Sequence, residues 1–305
     1  MVQKNNINKL IIICGPTCTG KSDLAAKAAY KLGGAVISAD SMQIYRRMDI
    51  GTAKIRPEDY PGIAHYMLDI VEPQENFSVA EYKLQAEEII DKLQVEGKSA
   101  IVAGGTGLYI NSLIYPLSFG DKDGDSKLRD KLNAELSLKG ALFLHDKLRG
   151  IDPESADRIH PNNTRRVIRA LEIAESGSNM SARKDNLEPI RDFMMVGLQM
   201  PREKLYGLIN TRVDGMFNQG LIEEVERLKM ECSFDCQSMQ AIGYKEFKGY
   251  FEGTADIDSV KDKIKQNTRN YAKRQMTWFK RYNNIRWFDA LSEREEALRY
   301  IEDNI

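Results

Sequence analysis

The chain has 305 residues, 42% hydrophobic and 29% charged, which fits one large or two ordinary globular domains and excludes disordered and fibrous classes. The 44 Lys and Arg residues against 45 Asp and Glu leave a net charge of −1, so a polyanion site has to come from local clustering. Its longest apolar run, Leu10–Cys14, is far too short to span a bilayer, and there is no signal-type apolar segment, so the cytosol is the expected compartment.

Residues Lys9–Cys14 form an isoleucine-rich run that predicts a buried strand. It leads into Gly15-Pro16-Thr17-Cys18-Thr19-Gly20-Lys21-Ser22. The segment Asp23–Leu32 predicts a helix with Ala25, Ala28, Ala29 and Leu32 on one face, and Gly33-Gly34 stops it. A second strand is predicted at Ala35–Ser38, ending in Ala39-Asp40-Ser41, and a third at Tyr66–Val71. Ser78-Val79-Ala80-Glu81 spells a capping box. Its helix carries Tyr82, Ala86, Ile89, Ile90 and Leu93 on an apolar face and closes at Gly97. Ser99–Ala103 predicts a strand that runs directly into Gly104-Gly105-Thr106-Gly107. This alternation predicts a parallel sheet flanked by helices. From 117 to 192 helical periodicity continues without a strand until Phe193–Leu198. Beyond Pro201 the chain reads as helical except for Ile285–Asp289. The expected organisation is an α/β core over 1–116 and 193–305, interrupted by a helical insertion domain at 117–192.

The segment Gly15–Ser22 fits G-x-x-x-x-G-K-[ST] and has the required strand before it and helix after it, so the fold class is a P-loop NTPase-like α/β core. Backbone N–H groups of such a loop curl around phosphate, Lys21 adds a point charge and Ser22 can hold Mg²⁺. The motif implies a di- or triphosphate ligand and does not specify a nucleotide. The strand at 100–103 ends without the carboxylate a P-loop NTPase usually has there, and Asp40 supplies one after the strand at 35–38 instead. Asp40 is a candidate general base beside the phosphates, or a cap for its own turn. Thr106, at the carboxyl end of a predicted parallel strand, can position an acceptor or a phosphate. The four cysteines, at 14, 18, 232 and 236, match neither zinc spacings nor a disulfide-permissive compartment and read as free thiols.

Two basic clusters stand out. Arg165, Arg166 and Arg169 lie on a helix whose Val167, Ile168 and Leu171 face a core. The second runs from Lys263 to Arg286, with eight Lys or Arg residues and no acid. On a helical wheel Lys265, Arg269, Lys273 and Lys280 share one side, long enough to follow a phosphate backbone, with Tyr271, Trp278 and Tyr282 opposite as packing residues.

Several segments, in order over most of the chain, resemble the tRNA dimethylallyltransferase (tRNA isopentenyltransferase) family. They are Gly15–Ser22, Ser38–Tyr45, Met48–Lys54, Gly104–Tyr109, Arg165–Glu172, Gln240–Tyr244 and Tyr271–Lys280. The resemblance implies transfer of a dimethylallyl group from dimethylallyl diphosphate to N6 of the adenosine 3′-adjacent to the anticodon, tRNA position 37. It implies that Gly15, Pro16, Thr17, Cys18, Thr19, Gly20, Lys21 and Ser22 hold the diphosphate with Mg²⁺, and that Asp40, Thr106 and Lys21 are catalytic. It further implies that Asp40, Ser41, Met42, Gln43 and Thr106 meet the extruded adenosine, with Gln43 suited to a bidentate adenine contact. Arg129, Arg165, Arg166 and Arg169 of the insertion, with Lys265, Arg269 and Lys273, would then grip the anticodon stem-loop. The expected protein is a cytoplasmic monomer. Arg165 stands where the family has Gln, and Arg46-Arg47 where it has Arg-Gly. A P-loop kinase, an isopentenyltransferase acting on free adenylate and a GTP-dependent RNA-binding switch are the alternative readings; the last lacks a guanine-reading motif.

Overall fold

The structure is a computed structural model, and it describes residues 8–117, 126–175, 180 and 188–305. By internal contacts the chain divides into two compact units, Met1–Tyr115 with Pro189–Ile305, and Pro116–Glu188.

The first unit begins β1 (Leu10–Cys14), α1 (Lys21–Leu32), β2 (Ala35–Ser38), β3 (His65–Tyr66), α2 (Val79–Val95), β4 (Ala100–Gly104) and α3 (Gly107–Ile114). The second unit holds α4 (Ser126–Ile151), α5 (Pro153–Arg158) and α6 (Thr164–Glu175). The first unit resumes with β5 (Phe193–Gln199), α7 (Arg202–Asn218), α8 (Leu221–Glu231), α9 (Lys248–Phe251), α10 (Ile257–Phe279), β6 (Ile285–Asp289) and α11 (Arg294–Asp303). No helix among the described residues is long and apolar enough to cross a membrane.

Six strands form one parallel sheet in the order β3-β2-β4-β1-β5-β6. The central strands β1 and β4 are buried throughout, as expected of a parallel sheet covered on both faces. Alternate residues of β1 feed two cores. Leu10, Ile12 and Cys14 pack with Tyr82, Ile90, Ile110, Val225, Ile264 and Phe279, whereas Ile11 and Ile13 pack with Leu24, Ala28, Leu298 and Ile301. Helices α2, α3, α8 and α10 thus cover one face, and α1 and α11 the other. Such a doubly covered sheet gathers the loops after β1, β2 and β4 at its carboxyl edge, where open α/β sheets bind ligands. The second unit has a core of its own, built on Leu132, Leu144, Leu148, Val167 and Leu171.

Most predicted elements of the core fall where the periodicity puts them, and the capping box forms as read, with the Glu81 N–H donating to Ser78 Oγ at 3.2 Å. The predicted strand Tyr66–Val71 is the exception. Only His65 and Tyr66 pair with β2, because Met67 and Asp69 take positive φ of 60° and 52° and turn the chain out of the ladder.

Candidate active site

The loop after β1 is closed by bonds to one carbonyl. Thr19 Oγ1 donates to Pro16 O at 2.9 Å, and Lys21 Nζ to the same oxygen at 2.6 Å. Burial, together with the charge of Arg212, lowers Lys21 to about 8 against the opposing pull of Asp40. Ser22 is exposed in the first turn of α1. Burial pushes the Cys14 thiol up to about 12, so the strand cysteine stays protonated; all four cysteines are free.

Asp40 follows β2 and serves as the cap of its own turn. Its Oδ1 accepts from the Met42 N–H at 2.9 Å and the Gln43 N–H at 3.3 Å. No hydrogen bond holds its Oδ2 among the described residues. Burial raises the Asp40 carboxyl above its ordinary value, opposed by those two N–H groups and by Lys21. The turn therefore uses one oxygen of this carboxylate and leaves the other without a hydrogen bond among the described residues. Thr106 follows β4, and its Oγ1 accepts from the Ser41 N–H at 3.1 Å. This bond ties the Thr106 turn to the Asp40 turn, so Lys21, Asp40, Ser41 and Thr106 form one cluster.

Gln43 is placed beside this cluster but its amide nitrogen is engaged. It donates to the carbonyls of Thr52 and Ala53, both at 3.3 Å. A bidentate adenine contact needs that nitrogen, so it would require Gln43 to let go of the 52–53 backbone. The segment 49–54 is itself pinned from two sides. Glu224 accepts from the N–H groups of Asp49, Ile50 and Gly51 and from the Tyr244 hydroxyl. Lys54, 4% exposed, donates to Tyr45 O, Asp49 and Asp69.

Four residues at this site were not singled out by the sequence reading as site residues. Arg212 of α7 donates to Thr17 Oγ1 at 3.1 Å and is exposed, bringing a second cation to the phosphate loop. Arg294 of α11 donates to Thr19 O at 3.3 Å. Gln275 of α10 accepts from the Thr17 N–H at 2.9 Å. Tyr271, read as a packing residue, lies beside Thr106 and Gln275, and burial and the nearby Asp40 charge push its hydroxyl well above its ordinary value. All four come from elements distant in sequence; Tyr271 and Gln275 lie in the family-like segment Tyr271–Lys280, but nothing local assigns them to the phosphate loop or the Thr106 turn.

A model of the IPP transferase family matches residues 43–282. The chain belongs to the IPP transferase family. It is 48% identical over 302 residues to the tRNA dimethylallyltransferase of Bacillus anthracis, covering 97% of this chain and 96% of that one. The crystal structure of the full-length tRNA isopentenylpyrophosphate transferase from Bacillus halodurans superposes with a TM-score of 0.74 at 43% identity, covering 97% and 96% of the two chains. A eukaryotic dimethylallyltransferase, solved acting on tRNA, gives a TM-score of 0.80 at 29% identity, over 93% of this chain and 74% of that one.

Against this IPP transferase background the basic residues sort into two groups. Arg165 and Arg166 are exposed, with no ion pair among the described residues. Arg129 and Arg169 are held: Arg129 makes two bonds to the buried carboxylate of Glu172, at 2.6 and 2.9 Å, and Arg169 adds a third at 2.9 Å. On α10 the expected basic stripe is partly neutralised. Asp214 of α7 pairs with Lys265 at 2.7 Å, and Arg269 donates to Asn210 Oδ1 at 2.7 Å, while Lys273 and Arg274 stay exposed. The acid missing from the 263–286 run is supplied by another helix. Lys280 caps the last turn of α10 with helical dihedrals, whereas Tyr282 lies beyond the cap, where the wheel that grouped it with the helix does not reach. Arg47, standing where the family has Gly, has φ 62° and is held there by ion pairs to Glu72 and Glu231.

Proposed function

We propose that this chain transfers a dimethylallyl group from dimethylallyl diphosphate to N6 of the adenosine 3′-adjacent to the tRNA anticodon, position 37, giving N6-(dimethylallyl)adenosine and diphosphate. The observation that carries this reading is the bond between the Ser41 N–H and Thr106 Oγ1, which joins the Asp40 turn to the Thr106 turn, with Lys21 of the phosphate loop close enough to feel the Asp40 charge. The relatives named above, which act on tRNA, support it.

In this reading Lys21, Arg212 and the N–H groups of the loop receive the leaving diphosphate. The bond from C1 of the dimethylallyl group to the diphosphate oxygen breaks, and a bond from N6 to C1 forms. The N6 proton passes to Asp40 Oδ2, the oxygen not used by the turn. An exocyclic adenine amine is a weak nucleophile, so general-base help of about 10²- to 10⁴-fold is in keeping with the step. The adenine has to leave its stack to reach this edge of the sheet.

The Ser22 hydroxyl beside the loop is an oxygen donor of the kind that suits a hard divalent cation such as Mg²⁺. Among the described residues no group of three His, Cys, Asp or Glu side chains is placed to hold a metal ion, so the diphosphate would have to furnish most of the ligands. When bound, Mg²⁺ supplies charge neutralisation to the departing diphosphate. Ser22 would hold it.

The test incubates the protein with radiolabelled dimethylallyl diphosphate, Mg²⁺ and unmodified tRNA, then digests the RNA and identifies the labelled nucleoside. Label in N6-(dimethylallyl)adenosine from position 37 is expected. Label confined to free adenylate, or none in RNA, refutes the reading.

A further inference from the structure

Gln275 lies on α10, 4% exposed, with its carboxamide bonded at both ends to backbone of different loops. Oε1 accepts from the Thr17 N–H at 2.9 Å, and Nε2 donates to Gly105 O at 3.1 Å. Among the described residues no other side chain bonds the backbone of both the phosphate loop and the Thr106 turn. The fit is close enough to dictate glycines. A Cβ on Gly105 would collide with Gln275 Nε2, and one on Gly107 with the indole nitrogen of Trp278, one helical turn along α10. Helix α10 is therefore seated directly on the turn that carries Thr106.

We infer that Gln275 is a positioning residue that fixes the phosphate loop, which would hold the donor, relative to the Thr106 turn, which would hold the acceptor. The inference rests on the prenyl-transfer reading above. Transfer needs the attacking nitrogen and the prenyl carbon brought to about 3–3.5 Å, and a misplacement of about 1 Å can cost on the order of 10²-fold. Both hydrogen-bonding ends of Gln275 are committed to backbone, so it acts through the two loops and not on substrate.

Steady-state prenylation kinetics over a range of pH, with melting curves and tRNA binding for each variant, test this. Gln275→Leu loses both bonds; kcat should fall by on the order of 10²-fold and the KM for dimethylallyl diphosphate should rise, with tRNA affinity unchanged. Gln275→Glu gives a sharper readout. Ionised, the glutamate still accepts from Thr17 but sets a second acceptor against Gly105 O. Protonated, it donates there again, and burial raises its pKa. The ratio of Gln275→Glu to wild-type kcat should therefore climb as pH falls. A flat ratio in a folded variant overturns the inference.

Gly105→Ala provides an arm that does not depend on the folding of the glutamate variant. Its methyl presses on the carboxamide and disturbs the same two bonds, so kcat should drop, and adding Gln275→Ala should cost little beyond the Gln275→Ala loss alone. Strictly additive losses overturn the inference. Absence of prenyl transfer by the wild-type protein would instead refute the underlying activity, and the wild-type control reports that before any variant is scored.

Discussion

The Lys21 ammonium and the Pro16 carbonyl, five residues apart, are joined at 2.6 Å, so the cation of the phosphate loop is bonded to a neutral oxygen of that same loop. Burial has already brought Lys21 to about 8, and a diphosphate would give it an anionic partner and draw its proton back. Donor binding should therefore weaken as pH rises through about 8, where free Lys21 loses its charge. The KM for dimethylallyl diphosphate, measured from pH 7 upward, should show that rise. Lys21→Ala should raise the KM by about 10- to 100-fold at pH 7, the value of a charged hydrogen bond, and abolish the pH step. A step that persists in Lys21→Ala would assign it to another group.

Asp40 caps its own turn and, in the proposed reaction, accepts the N6 proton, and the two roles can be separated by substitution. Asparagine keeps an oxygen for the Met42 and Gln43 N–H groups but cannot serve as the base. Asp40→Asn should lower kcat by about 10²- to 10⁴-fold while leaving the melting temperature and tRNA affinity close to wild type. Asp40→Ala should lose activity and, in addition, about 1 kcal/mol of stability from the lost cap. Because burial raises the Asp40 carboxyl, wild-type kcat should fall with decreasing pH from above the ordinary carboxylate range. Asp40→Asn with near wild-type kcat would remove it from the chemistry.

The parts of this site legible in the sequence are those written in contiguous residues. The phosphate loop, the Asp40 turn and the Gly104–Gly107 turn each follow a buried strand, and strand–loop–helix context is a local signal. Arg212, Tyr271, Gln275 and Arg294 were illegible as site residues because packing of α7, α10 and α11 brings them there across long stretches of chain. The same limit explains the basic stripe: a wheel shows which cations share a face, not that Asp214 waits on the neighbouring helix. In the Tyr66–Val71 segment the misleading feature is backbone conformation: methionine gives no sign of the positive φ at Met67, where the chain leaves the ladder, and Asp69, a type enriched at positive φ, comes two residues later.

Glu224 is the buried anchor of the 49–51 backbone, receiving three N–H groups and the Tyr244 hydroxyl on its two oxygens. An amide in its place turns one acceptor into a donor facing donors. Glu224→Gln should cost about 3 kcal/mol, within the range for breaking a buried charged network, and lower the melting temperature by several degrees. Limited proteolysis should cut preferentially near residues 49–54. Unchanged melting and cleavage would show that this network does not hold the loop.

Exposed and neutralised cations should behave differently toward RNA. Arg165 and Arg166 are exposed, with no ion pair among the described residues, whereas the Lys265 ammonium is held by Asp214 at 2.7 Å. A phosphate contact made by either arginine releases counterions, so each lost contact should reduce the slope of log affinity against log salt by about 0.7–0.9. The double substitution Arg165→Ala with Arg166→Ala should weaken tRNA binding and flatten that slope in filter-binding titrations. Lys265→Ala should leave the slope near wild type, because its charge is already spent on Asp214. If the slope falls for Lys265→Ala and not for the arginine pair, RNA follows α10 and the Asp214 pair opens when it binds.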